Sequence, residues 1–218
     1  MNDTETKNTA VKAPALMSTR PVTAQDALDQ CEKLSPMMVH YCQTKTGLTD
    51  PANTILFYRL GDFYEMFFED ATLVSKELEL TLTGKDCGME ERAPMCGIPY
   101  HAAEGYINRL VENGHKVAIC EQMEDPKQAK GMVKREVIRV VTPGTTLIPQ
   151  GLDETKNNYI MSIVCMEGCF GISTADISTG QCLVTEMDKP RRLVDEITKF
   201  MPAEIICNQS FLLCGIDV

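Results

Sequence analysis

The spacing of apolar residues changes several times along the chain, and each change marks an expected element. Residues 1–21 are polar, without periodicity, and are expected to form a flexible tail. Thr23 and Asp26 are placed to cap a short helix ending near residues 31–33. Ser35-Pro36 joins an N-cap residue to a Pro at the first helical position, so a second helix is expected over 36–45, stopped at Gly47. Residues 54–60, TILFYRL, are β-branched and aromatic and predict a buried strand, broken by Gly61. From Asp62 a helix of about sixteen residues is expected. Met66, Phe67, Val74 and Leu78 would form its apolar stripe, with Glu69, Asp70, Lys76 and Glu77 outside it. Residues 80–83 predict a short strand, and 84–100 a loop by their Gly, Pro and charge content. A helix over 101–113 ends at Gly114; strands follow at 116–122 and 133–142, and Pro143-Gly144 turns the chain. Alternating strands and helices make this an α/β unit.

After Pro149-Gln150-Gly151 the pattern shifts to a meander, with strands at 158–166, 170–176 and 181–186 joined by short turns. A helix over 189–200 and a strand over 203–207 complete it, with no further helix expected. The expected division is a tail at 1–21, a first domain at 22–148, and a second domain begun at 149 and cut short at 218.

Composition is ordinary for a folded protein, at 44% hydrophobic and 24% charged, which excludes wholesale disorder. No apolar run is long enough to span a bilayer, and the N-terminus has no apolar signal region. A cytoplasmic chain with no membrane partner is expected. The ten cysteines form no Cys-x-x-Cys pair and only three histidines exist, so the cysteines are expected to be reduced thiols used as small apolar side chains. Net charge is −10, but it is uneven. Residues 35–125 are acidic, whereas 126–148 carry Lys127, Lys130, Lys134, Arg135 and Arg139 against a single Glu136. That cluster is either a solvated strand and turn or a patch that touches phosphates. The overall charge argues against strong, sequence-indifferent nucleic-acid binding by this chain alone.

Catalytic signals are weak. The only Gly-Lys, Gly84-Lys85, is followed by Asp86 and has Glu79 where a phosphate loop needs Gly. Asp176-Ile-Ser-Thr-Gly180 resembles the first hairpin of actin-like and ribonuclease-H-like folds, where an Asp binds metal; otherwise it is a polar hairpin. A metal-dependent nuclease or phosphotransferase around Asp176 is therefore one alternative reading, and a pure protein-interaction module is another.

Gly61-Asp-Phe-Tyr-Glu-Met-Phe67 is the most informative stretch. On pattern alone, Asp62 and Glu65 form a capping pair for the expected helix, and Phe63 enters the core. Several ordered blocks point elsewhere. They include Ser35-Pro-Met-Met38, Leu56-Phe-Tyr-Arg59, Gly61-Asp-Phe-Tyr-Glu65 and Phe68-Glu-Asp-Ala71. Pro94 to Ala102, Val117 to Gln122, Val140 to Thr145 and Asp176 to Gly180 continue the series. In this order they resemble the MutS family of DNA mismatch-recognition proteins, over residues 35 to about 205.

The resemblance implies a mixed-sheet α/β mismatch-recognition domain with surrounding helices, then a truncated ribonuclease-H-like connector domain without nuclease activity. It implies that Phe63 wedges into the minor groove at a mispaired base and that Glu65 accepts a hydrogen bond from that base. Leu60 and Met95 would flank the wedge, with Lys85, Arg92, Lys127, Lys130, Lys134 and Arg135 as candidate phosphate neighbours. The 84–93 loop is more acidic than the family's usual basic stretch. The chain itself would be no enzyme and hold no cofactor. The resemblance implies a longer ATPase parent, with ATP and Mg²⁺ held beyond residue 218. That parent would act as a homodimer on duplex DNA with mismatches or small loops, with a MutL-type partner engaged through the connector.

Overall fold

Strand β1 (Thr54–Leu60) lies where its β-branched and aromatic residues predict it. The computed structural model describes residues 23–30, 33–89, 91–125, 129, 131–146 and 157–216; the expected tail lies outside them. β1 runs antiparallel to β2 (Phe63–Phe67) and parallel to β5 (Lys116–Gln122). β2 pairs with β4 (Ala93–Pro99), β4 with the short β3 (Thr83–Lys85), and β5 with β6 (Arg135–Val141). The sheet order is β3-β4-β2-β1-β5-β6.

Helices cover both faces. Helix α1 (Ala24–Gln30) starts at a reciprocal cap in which Thr23 Oγ1 accepts from Asp26 N (3.1 Å) and Asp26 Oδ2 from Thr23 N (3.2 Å). Helix α2 (Pro36–Thr46) follows its Ser35 cap. Their Ala27, Met38, Tyr41 and Cys42 bury Leu56, Tyr58, Phe67, Ala118 and Cys120. On the opposite face, α3 (Phe68–Glu77) and α4 (Ala103–Glu112) set Val74, Ile107 and Leu110 against Ile55, Phe57, Tyr64 and Met66. Each such side chain, fully buried, contributes about 1.5–3 kcal/mol.

The expected long helix from Asp62 is two elements. Residues 63–67 are strand, and the helix begins only at Phe68, whose φ of +53° marks the switch. The reason is alternation. Tyr64 and Met66 face α3 and α4, while Phe63, Glu65 and Phe67 face the other side, so both faces of β2 find partners. No Asp62–Glu65 capping pair exists, because neither residue belongs to a helix. The loop expected over 84–100 contains β4, which its Pro and Gly residues disguised; β2 and β3 pair with it on either side. The strand expected at 80–83 begins at Thr83.

The second sheet has the order β10-β7-β8-β9, from β7 (Tyr159–Met166), β8 (Cys169–Asp176), β9 (Gln181–Met187) and β10 (Glu204–Cys207). β7, β8 and β9 form the expected antiparallel meander. Helix α5 (Pro190–Phe200) then returns the chain so that β10 runs parallel to β7. A four-residue helix, α6 (Gln209–Leu212), follows where none was expected; Asn208 caps it and it buries Phe211 in the second core. Two mixed sheets with helices bear out the α/β expectation. No helix among the described residues is long and apolar enough to cross a membrane. Burial pushes the Cys120 thiol up to about 11 and the Cys96 thiol up to about 12, so neither is a thiolate at neutral pH.

One ion pair ties these layers together. Lys45 Nζ lies 2.6 Å from Asp70 Oδ1, and both side chains are buried. Lys45 also donates to Thr54 O (2.6 Å), and Asp70 Oδ2 accepts from Leu56 N (2.9 Å). Asp70→Asn leaves the buried ammonium without its anion. We expect it to lower unfolding free energy by about 3–5 kcal/mol. Urea denaturation at pH 7 measures it, and a loss below about 1 kcal/mol would contradict the role given to the pair.

Candidate nucleic-acid interface

The loop between β1 and β2 is two residues long, since Leu60 pairs directly with Phe63. Gly61, its first residue, has φ +59°, a conformation that costs other residues about 1–2 kcal/mol. Asp62 O accepts from Tyr100 N (3.0 Å). Arg59 braces the turn from below. Its Nε donates to Gly61 O (2.5 Å), and its guanidinium lies 3.6 Å from the centroid of the Tyr100 ring. Its Nη1 lies 3.3 Å from Glu121 Oε1, an oxygen that also accepts from the Tyr64 hydroxyl. Burial first, and that contact with Glu121 second, hold the Tyr64 phenol protonated far above its usual range.

Phe63 is thus fixed at the root of a rigid hairpin, yet its side chain is 46% exposed. Glu65 follows two residues later on the same face, its side chain 17% exposed. Directly across from it on β4 stands Gly97, where a Cβ would come within 3.6 Å of Glu65 Cγ. Lys85 Nζ reaches Glu65 Oε2 at 2.5 Å and sits 5.6 Å from the centroid of the Phe67 ring. Phe63, Glu65, Leu80, Thr81, Thr83, Met95 and Gly97 line an open groove of about 470 Å³.

The flanking candidates divide. Leu60 lies opposite Phe63, and Met95 lines the groove. Lys85 is in the groove but paired with Glu65. Arg92 is exposed beside Gly84 on the β3–β4 hairpin. Lys134 is exposed and paired with Glu136 at 2.7 Å. Arg135 is a correction, because it is only 8% exposed. Its Nε donates to Arg59 O, its Nη1 to Val133 O, and its guanidinium lies 5.2 Å from the Tyr58 ring centroid. The cation holds two strands together and is not free for a phosphate. Lys127 and Lys130 lie outside the described residues.

Asp176 ends β8 and is 1% exposed. Its Oδ1 accepts from Ser178 Oγ (2.6 Å), Ser178 N (2.9 Å) and Thr179 N (3.4 Å). The Ser178 hydroxyl chiefly holds this carboxyl below its usual range. Among the described residues no group of three or more His, Cys, Asp or Glu is placed to hold a metal ion, so what is seen of Asp176 is a turn cap.

Sequence reasoning missed Arg59, Tyr100 and Glu121, which fix the hairpin. It also missed Gly97. No local signal marks them, because residues 63–67, FYEMF, fit a helical stripe as readily as a pleat and only the pairing with β4 decides.

The two mixed sheets, each with its own buried core, define an α/β chain of two units, the first carrying an exposed hairpin. A family model described as MutS domain I matches residues 35–149, and one described as MutS domain II matches 158–213. The chain belongs to the MutS family. It is 64% identical over 186 residues to the DNA mismatch repair protein MutS of Lachnoclostridium phytofermentans, spanning 85% of this chain and 20% of that protein. The corresponding proteins of Acetivibrio thermocellus and Caldanaerobacter subterraneus are 56% and 52% identical, each over 82% of this chain and 20% and 21% of their own lengths. The chain therefore spans about a fifth of the curated relatives it matches.

The buried cation that opens β6 and the exposed one just before it predict opposite outcomes. Arg135→Ala removes two hydrogen bonds and the cation over Tyr58, and is expected to cost about 2 kcal/mol or more. Lys134→Ala, at an exposed pair, is expected to stay within about 0.5 kcal/mol. Thermal melts of the two variants check this; equal losses would refute the division.

Proposed function

We propose that this chain binds mismatched duplex DNA, with Phe63 as a minor-groove wedge and Glu65 as a hydrogen-bond acceptor for the displaced base. The observation that carries the reading is an aromatic residue, half exposed, at the root of a braced two-residue hairpin, with a carboxylate on the same face. A wedge must withstand the stack it opens. Partly unstacking a base step costs a few kcal/mol, and the cost is least where pairing is already faulty. The wedge therefore selects defects without reading sequence. A carboxylate near phosphates disfavours intact duplex and gains a hydrogen bond only where a base has shifted, so it adds discrimination at the expense of affinity.

The second domain serves on this reading as a connector to the rest of a longer mismatch sensor. That sensor is cytoplasmic and dimeric, acts on duplex DNA with mismatches or small loops, uses ATP and Mg²⁺, and engages a MutL-type partner through the connector. This chain's own part is recognition and not catalysis. On this reading ATP and Mg²⁺ are held by parts of the longer protein that this chain, spanning about a fifth of its relatives, does not cover.

The test compares a G·T duplex with its matched control at fixed salt, using the complete protein of the same reading frame. Wild type is expected to prefer the mismatch, and Phe63→Ala to abolish that preference, by tenfold or more, while retaining weak matched binding. Preference that survives Phe63→Ala, or is absent from wild type, would overturn the assignment.

A further inference from the structure

The carboxylate given to the mispaired base is not free. Lys85 Nζ lies 2.5 Å from Glu65 Oε2, in a contact whose side chains are 32% and 17% exposed. The two residues are twenty apart in sequence and sit on strands β2 and β3, with β4 between them. Lys85 reaches Glu65 by crossing β4 above the Phe67 ring, on the side where Gly97 presents no side chain. Glu65 is thus held along the sheet face, close to charge-neutral with its partner, beside the exposed Phe63.

We propose that Lys85 is the counter-ion that sets how strongly Glu65 discriminates, an inference that rests on the function proposed above. Two consequences follow from the geometry. On intact duplex the pair stays closed, and the ammonium cancels the repulsion between Glu65 and the phosphates. At a mismatch Glu65 turns to the displaced base and the ion pair opens. The pair therefore favours matched binding and taxes mismatched binding. Lys85 trades selectivity for general affinity, which makes it a positioning and specificity-setting residue as well as a cation near the backbone.

A simple phosphate contact predicts something different. Losing it weakens matched and mismatched binding by the same factor, whatever stands at position 65. The experiment is a double-mutant cycle on the complete protein. The ratio of mismatched to matched affinity is measured at fixed salt for wild type, Lys85→Met, Glu65→Gln and the double variant. We expect Lys85→Met to lower both affinities yet raise the ratio threefold or more when Glu65 is present. It should leave the ratio unchanged, within about 1.5-fold, when Gln stands at 65. Lys85→Arg, which keeps the charge, should retain the wild-type ratio. A circular dichroism melt confirms that Lys85→Met keeps the short β3 strand's domain folded.

A ratio that falls, stays constant, or shifts equally in both backgrounds overturns the inference while leaving the wedge intact. A wild type that shows no mismatch preference removes the proposed function and this inference together.

Discussion

The buried pair of Lys45 and Asp70 is the constraint on which the first domain depends. Burying two charges costs several kcal/mol each unless every lone pair and proton is used. Here most of them are used, across four elements at once. Lys45 comes from α2 and holds Thr54 O and Asp70; Asp70 comes from the first turn of α3 and holds the Leu56 amide of β1. The Tyr41 hydroxyl accepts from the Phe67 amide of β2 (3.1 Å) and lies 3.4 Å from both Phe67 O and Asp70 Oδ2. Burial pushes the Asp70 carboxyl up to about 6, against the pull of the ammonium and the Leu56 amide. The acid stays ionised at neutral pH, where its position at the start of α3 also suits the positive helix end.

This network explains how β2 can stop and α3 begin with no loop between them. Phe68 sits at φ +53°, a position that costs a bulky residue energy. Tyr41 binds the backbone of Phe67 on one side and Asp70 anchors the helix on the other, so the strained residue has nowhere to relax. The same rigidity reaches the other end of β2, where Arg59, Tyr100 and Tyr64 brace the hairpin. An exposed aromatic on a loose loop would bend away from a base stack. Phe63 instead stands on a strand held at both ends, as the proposed wedge role requires.

Much of this was legible in the sequence, and the failures have physical causes. β1, β5, α2 and the second meander were read correctly because each carries its own periodicity and stop signals. Residues 63–67 were misread because five apolar-rich residues fit a helical stripe as readily as a pleat. What decides between them is pairing with β4, about thirty residues on. β4 itself was hidden by Pro94, Gly97 and Pro99, which read as loop until their partners are known. Charge was the least legible property. A basic run shows that cations are present, but not that the Arg135 guanidinium is buried against Tyr58 or that Lys85 is already paired with Glu65.

That last point bears on why an acidic chain suits the proposed task. Contacts to phosphates strengthen binding to any duplex and so add nothing to the difference between a mismatch and a match. A wedge contributes only a few kcal/mol of difference, set by how readily a step unstacks. A strongly cationic recognition domain would hold matched DNA tightly before the wedge had tested it. Here the cations nearest the wedge are spent internally: Arg59 on the turn and Glu121, Arg135 on backbone carbonyls, Lys85 on Glu65. If the proposed wedge acts as argued above, these three cations add little grip beside Phe63, and the energy of opening the stack would decide the outcome. On this reading the grip belongs elsewhere in the longer protein, where it raises affinity for all DNA without blunting the choice made at Phe63.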